Sequence, residues 1–105
     1  MKEITVQQLK DWQNERKSFQ LIDVREPDER EIASIDGVNI PLGDVPLRIN
    51  EFDEDKDVVV YCRSGKRSAT AVHHVESIKG LENLYNLKGG ILSWSDEIDP
   101  SVRKY

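Results

Sequence analysis

The chain contains one cysteine, Cys62, in 105 residues. A lone thiol excludes an internal disulfide framework, a multi-cysteine metal cage and an intramolecular dithiol redox pair, and it leaves any reactive sulfur without a resolving partner in its own chain. Long apolar runs are also missing. Val58-Val59-Val60 is among the longest, far short of the roughly 18–20 residues that a membrane span requires. Cationic excess is absent as well: 15 Lys and Arg against 20 Asp and Glu leave a net charge of -5. That charge repels phosphate backbones and anionic lipid, which argues against nucleic-acid and membrane-surface partners. The start, Met1-Lys2-Glu3-Ile4, has no basic stretch followed by an apolar core, so no export signal is read and the cytoplasm is the expected location. No repeat, low-complexity tract or linker divides the chain, and its length suits one domain over residues 1–105. A domain of this size buries about two thirds of its unfolded surface, enough for a modest core.

What is present alternates between strand-like and helix-like segments, punctuated by turn residues. Thr5 and Gln8 have capping-box spacing, and Val6, Leu9 and Trp12 share one helical face, which predicts a helix from Val6 to Glu15. Phe19 to Val24 reads as a strand covered on both faces. Pro27, followed by acids where the helix dipole favours them, opens a brief solvated helix within Glu26 to Glu31. Val38-Asn39-Ile40 is a short strand stopped by Pro41, and Gly43-Asp44 opens a helix through Glu51. Val58 to Tyr61 is a buried strand, and Ser68 begins a helix over Ala69 to Lys79 that Gly80 closes. Leu84 to Leu87 is the last strand, and Ile91 to Trp94 starts a terminal helix after the Gly89-Gly90 turn. The fold expected is α/β: a mainly parallel central sheet of four to five short strands with helices on both faces.

The chemistry concentrates where the Val58 strand runs into Cys62-Arg63-Ser64-Gly65-Lys66-Arg67-Ser68 and then into a helix. Open α/β sheets bind ligands beyond the carboxyl ends of their strands. Backbone N–H groups of a compact loop converge on one point, and a helix N-terminus adds partial positive charge, so the place favours an anion. Arg63, Lys66 and Arg67 put three cations within five residues of an otherwise acidic chain. Cys62 is therefore expected to ionise below the ordinary thiol value of about 8.5 and to act as a nucleophilic thiolate. The plainer reading, a small buried hydrophobe after a strand, does not account for the glycine and the cations that follow it.

Leu21-Ile22-Asp23-Val24-Arg25-Glu26-Pro27, Gly37 to Pro41, Tyr61 to Ser68, and Leu87-Lys88-Gly89-Gly90-Ile91-Leu92-Ser93-Trp94 resemble, in order and spacing, the landmarks of single-domain rhodanese-like sulfurtransferases. The resemblance spans nearly the whole chain. It implies that Cys62 takes up a sulfane sulfur as a persulfide, cradled by the amides from Arg63 to Ser68, and passes it to a nucleophilic acceptor. No cofactor is implied. Thiosulfate or a persulfide would be the donor; a thiol, cyanide or a sulfur-carrier protein would be the acceptor. Ala33-Ser34 stand where many relatives carry Gly-His. That segment and the Trp94 to Pro100 tail are most similar to relatives fused to adenylating enzymes of molybdopterin, thiamine and thiouridine pathways, which makes an adenylating enzyme a further candidate partner.

Two alternatives belong to other classes. Tyrosine phosphatases and arsenate reductases place Arg six positions after the cysteine, where a guanidinium grips a tetrahedral oxyanion. Here the sixth position is Ser68 and the nearest Arg is Arg67 at the fifth. A non-catalytic binding or regulatory module would dock an acidic segment in the same cationic pocket, but it gives no reason for Cys at position 62. Asp23 and Arg25 end a strand beside the expected cleft, as an ion pair supporting the loop, as a substrate contact, or as a solvated strand end; the sequence does not separate these. His73 and His74 lie too far along their helix to serve Cys62 as a base. Adjacent positions also point about 100° apart, so they form no two-His metal face, and no metal site is expected. Trp12, Tyr61, Tyr85 and Trp94 read as packing residues, and the acids of Glu26–Glu31 and Asp53–Asp57 as solvated.

Overall fold

The computed structural model describes all 105 residues. In chain order the elements are β1 (Lys2–Ile4), α1 (Val6–Asn14), β2 (Phe19–Asp23), α2 (Pro27–Ile32), β3 (Val38–Asn39), β4 (Asp57–Tyr61), α3 (Lys66–Lys79), β5 (Leu84–Leu87) and α4 (Gly90–Glu97). The strands form one sheet in the order β1-β5-β4-β2-β3, with every neighbouring pair parallel. The α/β sheet of the sequence reading is thus present, with β1 added at its edge. Lys2–Ile4 escaped that reading because three residues with only Ile4 buried carry no periodicity.

Alternation along β4 divides the core into two layers. Val58, Val60 and Cys62 face one side, packing with Ile22, Val24, Ala71, Val72, Val75 and Leu84 beneath α3. Val59 and Tyr61 face the other, with Leu9, Leu87, Ile91 and Trp94 of the α1 and α4 layer. Central strand β4 is therefore apolar on both faces, which is why its sequence is a continuous Val run. The Thr5 cap forms as expected: Gln8 N–H donates to Thr5 Oγ1 at 3.1 Å, and Thr5 N–H donates back to Gln8 Oε1 at 2.9 Å.

Two expected helices change. In place of one helix to Glu51 there are two single 3-10 turns, Leu42–Asp44 and Ile49–Glu51. Pro46 lies between them; it has no N–H to give, and its ring would crowd the carbonyl four residues earlier. Helix α3 starts at Lys66, ahead of Ser68, with Gly65 as its cap at φ 103°. Starting the helix earlier turns Ser68 inward in the first turn, where it is fully buried.

From β2 the chain crosses to the edge strand β3, whereas from β4 it crosses the opposite way to β5. The crevice between the carboxyl ends of β2 and β4 is the switch point at which open α/β sheets place ligands, and Cys62 follows β4 there.

Candidate active site

The Cys62 loop folds around its own sulfur. Gly65 N–H donates to Cys62 Sγ at 3.1 Å and Ser68 N–H at 3.4 Å, and Ser68 Oγ lies 3.3 Å away. The left-handed backbone at Gly65 turns the chain so that its amide aims inward. The loop carbonyls are held from behind by α4, whose Ile91 and Leu92 amides donate to Cys62 O at 3.0 Å and Arg63 O at 3.2 Å. These are orphan N–H groups of a helix start, satisfied by the loop. The approach requires Gly90: a Cβ there would stand 2.5 Å from both carbonyl oxygens.

Burial pushes the Cys62 thiol up, and the Ser68 hydroxyl together with the amides of Ser68, Gly65 and Ser64 outweighs it, leaving the thiol below its ordinary range. The expected direction is therefore present, with a different cause in the lead. The sequence credits the loop amides, the helix N-terminus and the cations Arg63, Lys66 and Arg67; the amides are in place, but two of the cations are engaged elsewhere. Arg67 grips Glu29 with two bonds of 2.6 and 2.9 Å, and Arg63 turns to the main-chain oxygen and ring of Tyr105. Lys66 stays exposed.

Glu29, a solvated acid on the sequence reading, is instead paired in the structure. Its carboxylate takes the two Arg67 bonds and one from the Tyr105 hydroxyl at 2.6 Å. The Arg67 bonds, outweighing burial and aided by Tyr105, hold Glu29 down to about 2. Tyr105 also accepts from Arg25 Nη1 at 3.0 Å. Nothing in the sequence could place Tyr105, 76 positions from Glu29, in this cluster.

Asp23 and Arg25 are fully buried, so the solvated strand end falls away. Arg25 Nε and Nη2 donate to the two oxygens of Asp23 at 3.0 and 2.8 Å. Arg25 continues to Ala33 O at 2.8 Å, and Asp23 also receives Arg30 at 3.2 Å and the Tyr61 hydroxyl at 3.1 Å. Burial, reinforced by the Asp23 charge, pushes the Tyr61 phenol up to about 12. Neither Asp23 nor Arg25 reaches the sulfur. They anchor α2 and Tyr105, which hold Arg67 and Arg63.

Asn86 joins the site without any motif in the sequence to mark it. It is 4% exposed, lies beside Val60 in the sheet, and joins the Cys62 layer. Ser68 Oγ donates to its Oδ1 at 2.5 Å, and its Nδ2 donates to Gly65 O at 3.1 Å. A polar residue in an otherwise apolar strand row was the available signal. His73 is exposed, and His74 lines a cavity of about 210 Å³ with Leu42, Val45, Pro46 and Thr70; neither contacts the sulfur. No group of three or more His, Cys, Asp or Glu is gathered to hold a metal ion, and no helix is long and apolar enough to cross a membrane.

Comparison with known proteins gives this geometry its family. The rhodanese-like domain profile matches residues 5–97. The chain belongs to the rhodanese-like family. A protein of Allochromatium vinosum named "Sulfurtransferase" is 40% identical over 76 residues, 71% of this chain and 70% of that protein. The "Probable adenylyltransferase/sulfurtransferase MoeZ" of Mycobacterium tuberculosis is 33% identical over 105 residues, 97% of this chain but only 26% of its own length. This rhodanese-like chain thus spans about a quarter of that larger relative. Among solved structures, a rhodanese-related protein from Thermoplasma volcanium superposes with a TM-score of 0.82 at 34% identity, covering 93% of this chain and 94% of that one. The rhodanese-like fold expected from the sequence landmarks is therefore the fold observed, and relatives of this domain carry the name sulfurtransferase.

Proposed function

We propose that this rhodanese-like domain moves a sulfane sulfur through a persulfide on Cys62. The thiolate attacks the outer sulfur of thiosulfate or of a donor persulfide; a Cys–S–S⁻ bond forms as the donor's S–S bond breaks, and sulfite or the donor thiolate leaves with its electron pair. An acceptor thiolate or cyanide then attacks the outer sulfur and restores the Cys62 thiolate. The observation that supports this most is the convergence of the Gly65 and Ser68 amides on Sγ, since donors fixed in advance at the anion stabilise it without reorganising. Lys66, exposed at the rim, would steer an anionic donor toward the loop. With no second cysteine the acceptor comes from outside the chain. The adenylyltransferase portion named in the MoeZ relative makes a sulfur-carrier protein or an adenylating enzyme the partner class to try first.

Intact-mass measurement before and after thiosulfate or a low-molecular-weight persulfide, and again after an acceptor, tests the proposal. A gain of one sulfur atom that the acceptor removes, and that Cys62→Ser abolishes, is expected. No gain with either donor, or turnover unaffected by Cys62→Ser, overturns it. Hydrolysis of a phosphate ester lost in Cys62→Ser would point to phosphatase chemistry instead. Partner binding undiminished in Cys62→Ala, with no sulfur loading in the wild type, would point to a binding module.

A further inference from the structure

The Ser68 hydroxyl has one hydrogen and two neighbours that can accept it. Cys62 Sγ is 3.3 Å from its oxygen and Asn86 Oδ1 is 2.5 Å away. The orientation of the Asn86 amide follows from its other contact: Nδ2 donates to Gly65 O at 3.1 Å, which turns Oδ1 toward Ser68. With Oδ1 as acceptor, Ser68 Oγ donates to Asn86 and can receive the S–H of a neutral Cys62. Once the sulfur is an anion it has no hydrogen to offer, and the Ser68 hydrogen swings to it. Asn86 Oδ1 then loses its partner in a buried place, since Ser68 is fully buried and Asn86 4% exposed, and an unpaired buried acceptor is costly.

We infer that Asn86 is a positioning residue of the thiol chemistry: it competes with the Cys62 thiolate for the single Ser68 proton and so sets how strongly that thiolate is held. The competition has a chemical use. A thiolate gripped by every donor in reach is stable but a poor nucleophile, because nucleophilicity falls with basicity. Asn86 contests one donor and so leaves the sulfur more basic and more reactive than the loop amides and an uncontested serine would make it. When the sulfur takes up a second sulfur, the negative charge moves to the outer atom, Sγ becomes a weak acceptor, and the Ser68 proton returns to Asn86. The same amide also tethers the loop at the Gly65 carbonyl.

The charged groups around the sulfur do not provide this effect. Arg67 of α3 feels the Cys62 charge but is paired with Glu29 of α2, Arg63 is turned to Tyr105, Lys66 lies at the exposed rim, and β5 presents the uncharged Asn86. The α4 side of the loop presents glycine backbone at Gly90.

The inference rests on the thiol chemistry proposed above, but ionisation is measured by alkylation with no sulfur donor present, so a failure of sulfur loading is recognised separately. The rate of iodoacetamide alkylation against pH gives the Cys62 midpoint in the wild type, Asn86→Leu, Ser68→Ala and the double variant. Losing the competitor should place the Asn86→Leu midpoint lower, relative to its effect in the Ser68→Ala background, by about half a pH unit or more. Asn86→Asp should raise the midpoint, and by more with Ser68 present than without it, which keeps the test open if the leucine variant fails to fold. Equal shifts in both backgrounds would mean that Asn86 acts only through the Gly65 carbonyl, and the inference would be wrong.

Discussion

Replacing Asp23 by Asn should remove a large part of the stability of this domain without touching the sulfur. Asp23 and Arg25 have fully buried side chains, joined by bonds of 3.0 and 2.8 Å. A hydrogen bond to a charged group contributes about 1.5–3 kcal/mol. Removing one partner of a buried pair costs about 3–5 kcal/mol, because the other charge stays behind uncompensated. In Asp23→Asn the stranded group is the Arg25 guanidinium, which keeps its bonds to Ala33 O and to Tyr105 but loses its counter-ion. Against a total on the order of 5–15 kcal/mol for a domain of this class, a loss of about 4 kcal/mol is about a quarter or more. With a urea slope of about 2 kcal/mol per molar, the unfolding midpoint falls by about 2 M. Urea unfolding followed by tryptophan fluorescence gives midpoint and slope together. Arg30→Ala serves as the control: its side chain is 29% exposed, so it should cost less than about 1 kcal/mol. The paired variant Asp23→Leu with Arg25→Met leaves no charge unpaired and should recover much of the loss. A loss below about 1 kcal/mol in Asp23→Asn, or a paired variant no more stable than the single one, would refute the assignment of this pair as a structural anchor.

Ser68→Ala should raise the Cys62 alkylation midpoint by about half to one pH unit, since it deletes the largest of the influences that lower it. Lys66→Gln, at an exposed and screened position, should move the midpoint by much less. Glu29 is held in the folded state at about 2, below the ordinary value of about 4.3. The stability it contributes is therefore complete above the ordinary carboxylate range and is lost as pH falls toward 2. Because Arg67 is 34% exposed, we expect about 1–2 kcal/mol after solvent screening, read as an acid-limb decline in urea midpoint that Glu29→Gln lacks. Gly90→Ala puts a Cβ against the Cys62 and Arg63 carbonyls at φ 59°. It should lower the melting temperature by several degrees and slow sulfur loading, measured by differential scanning fluorimetry and intact mass.

The strands and helices with periodic cores were legible in the residues themselves. The β4 run Val58-Val59-Val60-Tyr61 could only be a central strand, and the Thr5-Gln8 pair announced α1, because these signals are local and depend on hydrophobicity and backbone capping. The direction of the Cys62 shift was legible for a similar reason: a glycine loop between a strand and a helix turns amides toward one point. Beyond that local range the reading thinned. The edge strand β1 is specified by its neighbour β5 and hardly at all by its own side chains, and Pro46 outweighed the helical appearance of Gly43 to Glu51.

The amino-acid order thus determined a parallel α/β sheet with a thiol at the carboxyl end of its middle strand. The tertiary structure alone decided which charges reach that thiol. Arg67 spends its fork on Glu29, Arg63 turns to Tyr105, and Asn86 arrives from the neighbouring strand to contest the Ser68 proton. Pairing between residues far apart in the chain leaves no periodicity behind, and the field of a cation already paired with a nearby carboxylate is largely offset at a third group.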